Sequence, residues 1–302
     1  MKSIAILIAD CLIPENRDPE SITVIEGTRQ LAQLETAFAN ADLQVSLVPW
    51  RTATDVAANY DAVLPLLVWD YFENNEAAFA ESINEAAQLT NVFNSPQQLQ
   101  WNANKRYLDD LQQQGAAVIE TMIVDRITPA ACQTAFDRFG CDQLVIKPTV
   151  GGGAWRQVLL SSGDPFPDAE ELPPDEAMIQ PFQANVLSDG EFSFLYFEGK
   201  FSHGLVKRAA PGDYRVQGLY GGTEEKYTPT DDERSTAKAI LSSLPEMPLY
   251  ARVDLLRGGN GKLQLIELEL IEPFLYLSYA EEIDGLNQGA DMLANALAER
   301  LR

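Results

Sequence analysis

Hydrophobic positions in the first ninety-odd residues switch repeatedly between the two periods that mark strands and helices. SIAILIA, ending at Ala9, reads as a buried strand, and residues 24–40 carry apolar side chains at helical spacing. Residues 43–50 and 60–69 read as strands, 74–89 as a helix, and 91–95 as a short extended segment. Strand and helix in alternation predict a small parallel α/β lobe over residues 1–94. Its first strand is not followed by a G-x-G-x-x-G turn, which argues against a dinucleotide-binding fold.

The pattern then changes twice. Residues 95–115 predict a helix that opens on Ser95-Pro96 and closes on Gly115, followed by a strand over 118–124 and a helix over 129–140. From residue 144 onward strands and hairpins take over. LVIKP runs into three glycines, 176–182 is a strand, and 190–209 is a hairpin turning at Glu198-Gly199-Lys200. Residues 250–273 form a second hairpin turning at Gly258–Gly261, with helices over 230–243 and 285–301. The proline- and acid-rich segment 163–175 is expected at the surface.

Composition narrows the function. The 302 residues suffice for two or three lobes around a sizeable core. No amino-terminal leader pattern or membrane span is read in the chain, so a cytoplasmic location is expected. Cys11, Cys132 and Cys141 form no CxxC pair and are read as small buried hydrophobes. The single histidine, His203, excludes a histidine-rich metal site, and no G-x-S-x-G elbow accompanies it. Lys and Arg total 22 against 45 Asp and Glu, a net charge of −23. Such a surface repels nucleic acid and anionic membrane, and any phosphate site must be built from a few placed cations and a metal.

Three groups of residues carry candidate chemistry. Asp254 lies in one strand of the second hairpin, and Glu267 and Glu269 lie on one face of the other, with Asp254 expected across from Glu267. Like charges facing across a ladder are destabilising unless a cation joins them, and hard Mg²⁺ ions seek carboxylate oxygens. The competing reading is acids pointing to solvent from a sheet edge. Lys147 ends an apolar strand just before Gly151, Gly152 and Gly153, where backbone N–H groups and an ammonium could meet phosphate. Taken alone, those glycines read as a flexible turn. Lys207-Arg208, Arg215 and the pair Gly221-Gly222 point to a phosphate or a substrate carboxylate, or to cations balancing nearby acids. Lys105 reads by default as an exposed helix lysine.

In order, these motifs resemble the ATP-grasp superfamily, in its glutathione-synthetase-like and D-alanine–D-alanine-ligase-like branch. The resemblance rests on Asn104-Lys105, then V-I-K147-P, M-I-Q180-P-F, Arg252-Val-Asp254, and Glu267-Leu-Glu269, over about residues 95–285. It implies two α+β lobes enclosing ATP: a small lobe over 95–182 with the glycine loop, and a C-terminal lobe over 183–302 with the metal site. A pre-ATP-grasp α/β lobe precedes them. Lys105 and Lys147 would hold the ATP phosphates under a mobile loop at Gly151, Gly152 and Gly153. Backbone groups around Gln180–Phe182 would bind adenine, and Glu191 the ribose. Asp254, Glu267 and Glu269 would carry two Mg²⁺ ions, with Mn²⁺ as a substitute. Arg252 and Arg215, with Lys207 in the cationic clamp, would stabilise the transferring phosphoryl group.

The implied activity activates a small-molecule carboxylate as an acyl phosphate and passes it to an amine, with ADP and phosphate released. A small-molecule kinase and a non-catalytic ATP-binding regulator are the rival readings, and a homodimer is expected from relatives of this type. Glu269 stands where the family usually has Asn, and Gln180 where it often has an acid. After Glu269 the L-I-E-P-F sequence replaces the small-residue turn of D-alanine ligases and is closer to small biosynthetic ligases, including the cyclo-ligase of D-cycloserine biosynthesis. The substrate pockets are expected to draw on the N-terminal lobe near Asp70-Tyr71, with Asp70 itself read as a strand-to-helix cap.

Overall fold

A computed structural model describes residues 1–73 and 76–302 of the chain. The N-terminal lobe is a parallel sheet in the order β2-β1-β3-β4, made of β1 (Lys2–Ile8), β2 (Leu43–Pro49), β3 (Ala62–Leu67) and β4 (Asn91–Val92). All six residues of β3 are buried, as expected of a parallel strand covered on both faces. Helix α1 (Ile22–Asn40), the single turn α2 (Ala53–Val56) and α3 (Glu76–Ala86) connect the strands. The helix read over 74–89 thus lies partly outside the described residues.

The expected long helix over 95–115 is two helices, α4 (Pro96–Ala103) and α5 (Tyr107–Gln113). Pro96 starts α4 as the sequence predicts. The break comes because Asn104 Oδ1 accepts the Arg106 N–H at 2.9 Å while the Lys105 N–H is given to the Thr149 carbonyl. Apolar spacing continues through the break, which is why periodicity alone misses it. The expected strand over 118–124 shortens to β5 (Met122–Val124), and Val118 instead forms an isolated bridge to Leu265.

Helix α6 (Pro129–Phe139) ends on Gly140 at φ 59°, as the Pro-start, Gly-stop pattern predicts. Then follow β6 (Gln143–Pro148), β7 (Val158–Ser161) and β8 (Ala177–Pro181), giving an antiparallel sheet in the order β5-β8-β6-β7. A second antiparallel sheet, in the order β11-β10-β9-β12-β13, holds β9 (Glu191–Phe197), β10 (Lys200–Arg208), β11 (Thr223–Tyr227), β12 (Tyr250–Arg257) and β13 (Leu263–Glu269). Strands β7 and β11 are absent from the sequence reading, being short and lacking clear alternation. Helix α7 (Asp231–Ser242) opens with a Thr230–Glu233 capping box.

The lobes share cores. Tyr107, Leu108, Leu111 and Val118 pack with the five-stranded sheet, so residues 107–118 belong by packing with the C-terminal strands, while Leu99 of α4 joins the core of the N-terminal lobe. The last helix, α8 (Gln288–Arg300), returns to pack on α1. Buried Asn94 ties the N-terminal lobe to β12 and the end of β13, donating to the Tyr250 and Leu270 carbonyls and accepting the Leu249 N–H. Among the described residues no helix is long and apolar enough to cross a membrane.

Candidate active site

A cleft between the two antiparallel sheets collects Lys105, Lys147, the three loop glycines, Gln180, Phe182, Glu191, Lys207, Arg215, Arg252 and the three acids, whereas Arg208 turns out to Glu225 and Gly221-Gly222 lie outside it. The register is as expected: Asp254 pairs across the ladder with Glu267, and Arg252 with Glu269. What surrounds these acids was not legible beforehand. Asp254 is almost fully enclosed. It accepts from the Ser193 hydroxyl, from Arg252 Nε at 3.0 Å to each oxygen, and lies 3.6 Å from Lys207 Nζ. Glu269 is also bound to Arg252, and Lys105 lies 3.0 Å from Glu267. Side-chain exposure ranks the three: 33% for Glu267, 26% for Glu269 and 3% for Asp254. The two glutamates therefore face the cleft, whereas Asp254 is already saturated by cations.

Among the described residues no three carboxylate, imidazole or thiol groups converge as a ready-made metal cluster. The three acids share a patch of sheet, as the hairpin predicts, but arginine and lysine stand between them. Their chemistry still fits a hard cation. Burial, reinforced by Glu267 and Asp254 and opposed by Arg252, pushes Glu269 up to about 7, a cost that a cation bound beside it would offset.

Lys147 differs from its neighbours. It ends β6 inside the cleft, and its ammonium has no hydrogen bond or ion pair among the described residues. Burial lowers its pKa, against the pull of Glu267 and Glu191. Lys105, read by default as exposed on a helix, instead sits in the α4–α5 break, with Nζ 2.7 Å from the Gly151 carbonyl. Gly151 and Gly153 adopt φ 142° and 60°, values that favour glycine and let the loop backbone fold over both lysines.

Lys207 and Glu191 form a buried ion pair at 2.7 Å. Burial works against the charged ammonium, yet Asp254 and Glu191 hold Lys207 well above its ordinary value. Arg215 forks onto Asp213 and lies 3.7 Å over the Tyr220 ring, in a segment closed at Gly222, where a Cβ would strike the Val216 carbonyl at 2.0 Å.

The far end of the cleft is apolar, with Ile119, Val186, Val216 and Leu256 packed against Phe182, Tyr214 and Ile266. The slot suits a flat ring. Gln180 lines this end, but its side chain turns away to donate to Thr121 at 2.9 Å, and the Phe182 N–H is taken by the Gln143 carbonyl.

A second chamber opens beyond the glycine loop, bounded by the N-terminal lobe and sharing Gly152, Arg252 and Glu269 with the cleft. Asp70 lines it without capping a helix. It accepts from the Asp10 N–H, the Trp50 indole and Arg51, pinning the ends of β1 and β2 together. His203 is buried, 2.8 Å from the Leu275 carbonyl, and plays no part in the cleft.

Residues 4–94 match the model of a family described as D-cycloserine synthetase DcsG, N-terminal domain. The chain is 27% identical to the cycloserine biosynthesis protein DcsG of Streptomyces lavendulae, over 88% of this chain and 92% of that one. The crystal structure of D-cycloserine synthetase DcsG superposes with a TM-score of 0.81 at 24% identity, covering 99% of this chain and 100% of the other. The chain has the ATP-grasp fold. The same ATP-grasp architecture relates it to D-alanine–D-alanine ligase from Bacillus anthracis complexed with ATP, at TM-score 0.67 and 15% identity, with 99% and 98% of the chains covered.

Several residues that brace the cleft's acids and strands escaped the sequence reading. Ser193 holds Asp254, and Asn102 clamps the outer edge of β13, donating to the Leu268 carbonyl and accepting the Leu270 N–H. Tyr107 accepts the Leu268 N–H between them. The one available signal was polarity inside apolar elements, at Asn102 in α4 and at Ser193 in β9.

Proposed function

We propose that the protein is an ADP-forming ligase that activates a small-molecule carboxylate with ATP and joins it to an amine. The observation that carries this reading is the free ammonium of Lys147, set between an apolar slot and a wall of carboxylates. A half-buried cation without a protein partner, lining a cleft, suits an anionic ligand. The slot would take the adenine, and Lys147 and Lys105 the phosphates. Glu267 and Glu269 would hold Mg²⁺, which neutralises phosphate charge and orients the transferring group.

Arg252 faces both the cleft and the second chamber, where it would steady the acid as one of its oxygens attacks the γ-phosphorus and ADP departs. Nitrogen then attacks the acyl carbon and phosphate leaves. The chamber carries the carboxylates of Asp10, Glu26, Asp70, Glu73, Glu269 and Glu272 against the arginines Arg51 and Arg252, a balance that favours a substrate bearing an ammonium group. A second chamber also favours ligation over simple phosphorylation. The likeness to a protein named for D-cycloserine synthesis supports an acid and amine within one molecule.

The test is ADP and phosphate release with Mg·ATP across amino acids, their amides and O-substituted serine analogues, beside Glu267→Gln. Release that requires particular amine-bearing acids and disappears in the variant supports ligation. Release of ADP with a stable phosphorylated product indicates a kinase. Failure of the protein to bind Mg·ATP removes the reading.

A further inference from the structure

Tyr276 holds a backbone conformation that a bulky side chain seldom adopts, with φ 47° and ψ 37°. Such strain persists only where the surroundings impose it, and it concentrates at functional sites. Here the imposing groups are visible. Leu275 and Leu277 on either side are buried in the core shared with the N-terminal lobe. The Leu275 N–H is held by Gln30 at 2.7 Å, and its carbonyl lies 2.8 Å from the His203 ring. With both neighbours anchored inward, the left-handed turn presents Tyr276 to the cleft.

Its ring lies 5.7 Å from Lys207 Nζ and 5.6 Å from the Arg252 guanidinium carbon, with Phe274 packed edge-on at 4.8 Å. Tyr276 is half-buried, and its hydroxyl opens on the cleft with no hydrogen-bond partner among the described residues. Burial raises the phenol to about 12 against the opposing pull of Lys207 and Arg252, so it keeps its proton at neutral pH. Lys207 and Arg252 already engage Glu191, Asp254 and Glu269, so the protonated hydroxyl is the donor beside them that is left without a partner.

We propose that Tyr276 is an anion-contact residue whose hydroxyl donates a hydrogen bond to the phosphoryl oxygen gathered by Arg252 and Lys207. This rests on the ligase reading and adds a neutral donor to its cationic clamp. Lys207 supplies a point charge and the Arg252 fork is already turned to Asp254 and Glu269, so a free hydroxyl adds a directional donor that would favour one orientation of the transferring group. The strained turn sets that direction before any ligand arrives.

Tyr276→Phe removes the hydroxyl and leaves the ring, the cation contacts and the backbone. Inorganic phosphate is titrated calorimetrically into native protein and variant, each saturated with Mg·ADP. Phosphate affinity is expected to fall about tenfold in the variant, with the Mg·ADP affinity and melting temperature unchanged. Equal phosphate affinity in both proteins overturns the assignment, as does absence of phosphate binding to the native Mg·ADP complex. Parallel losses of ADP affinity and melting temperature would mark a structural role and likewise overturn it. If native protein fails to bind Mg·ADP at all, the ligase reading itself fails and takes this assignment with it.

Discussion

Lys105 and Glu267 form a 3.0 Å ion pair that ties the α4–α5 break to the outer strand of the second hairpin. The two side chains neutralise one another, and in the proposed ligase phosphate and Mg²⁺ would substitute for each partner. Lys147, in the same cleft, has no such companion among the described residues.

That contrast makes Lys147 the residue whose loss separates binding from stability. Burial depresses its folded-state pKa, so the native state bears a cost for the charge that disappears only as pH rises towards the unfolded value. Lys147→Met is expected to weaken Mg·ADP binding at least about tenfold by calorimetry. Its melting temperature should stay level or rise. Unchanged affinity with a lower melting temperature would remove Lys147 from the ligand site.

Lys207 should behave in the opposite way. Lys207→Met strands Glu191 as a buried carboxylate, while Asp254 keeps Arg252 and Ser193, and breaking a buried pair from one side costs about 3–5 kcal/mol. Urea unfolding of the variant tests this. A loss below about 1 kcal/mol would mean that water or rearrangement already screens the pair.

Asn102→Ala removes two hydrogen bonds to the backbone edge of β13, at 2.7 and 2.8 Å. About 2–3 kcal/mol of stability should go with them, since a buried N–H and carbonyl are left without partners. The strand they steady carries Glu267 and Glu269, so Mg²⁺ dependence of nucleotide binding should weaken in the same variant. A stability loss with fully native Mg²⁺ dependence would limit Asn102 to a structural part.

His203 offers a pH test, being the chain's one histidine. Burial lowers its folded value to about 4 from an ordinary 6.5, partly offset by the backbone carbonyls of Leu275 and Tyr276. Between those values the unfolded chain binds more protons, so stability falls as pH drops from 6.5 towards 4, by on the order of 3 kcal/mol. The imidazole Cε1 proton, followed by NMR in the folded protein, should titrate near pH 4. A midpoint near 6.5 would show that the ring is not buried in this way.

The sequence by itself determined what depends on neighbours within a few residues. Alternation in β12 and β13 and the glycine turn between them set the register that pairs Asp254 with Glu267. Ser95-Pro96, and Pro129 with Gly140, marked helix ends because capping is a local exchange of hydrogen bonds. The order of cations, glycines and acids along the chain was enough to gather one cleft.

Only the tertiary structure decided which charges meet. Lys105 left its expected helix because Thr149, forty-four positions away, accepts its N–H, and nothing in helical spacing records that bond. The separation of Asp254 from the two glutamates depends on Arg252, Lys207 and Ser193, which arrive on three different strands. The strain at Tyr276 comes from Gln30 and His203, anchored in α1 and β10. The second chamber is bounded by loops from all three parts of the chain. Periodicity encodes which face of an element is buried. It carries no record of which polar groups will stand opposite one another once distant elements close, and those pairings govern the chemistry of the cleft.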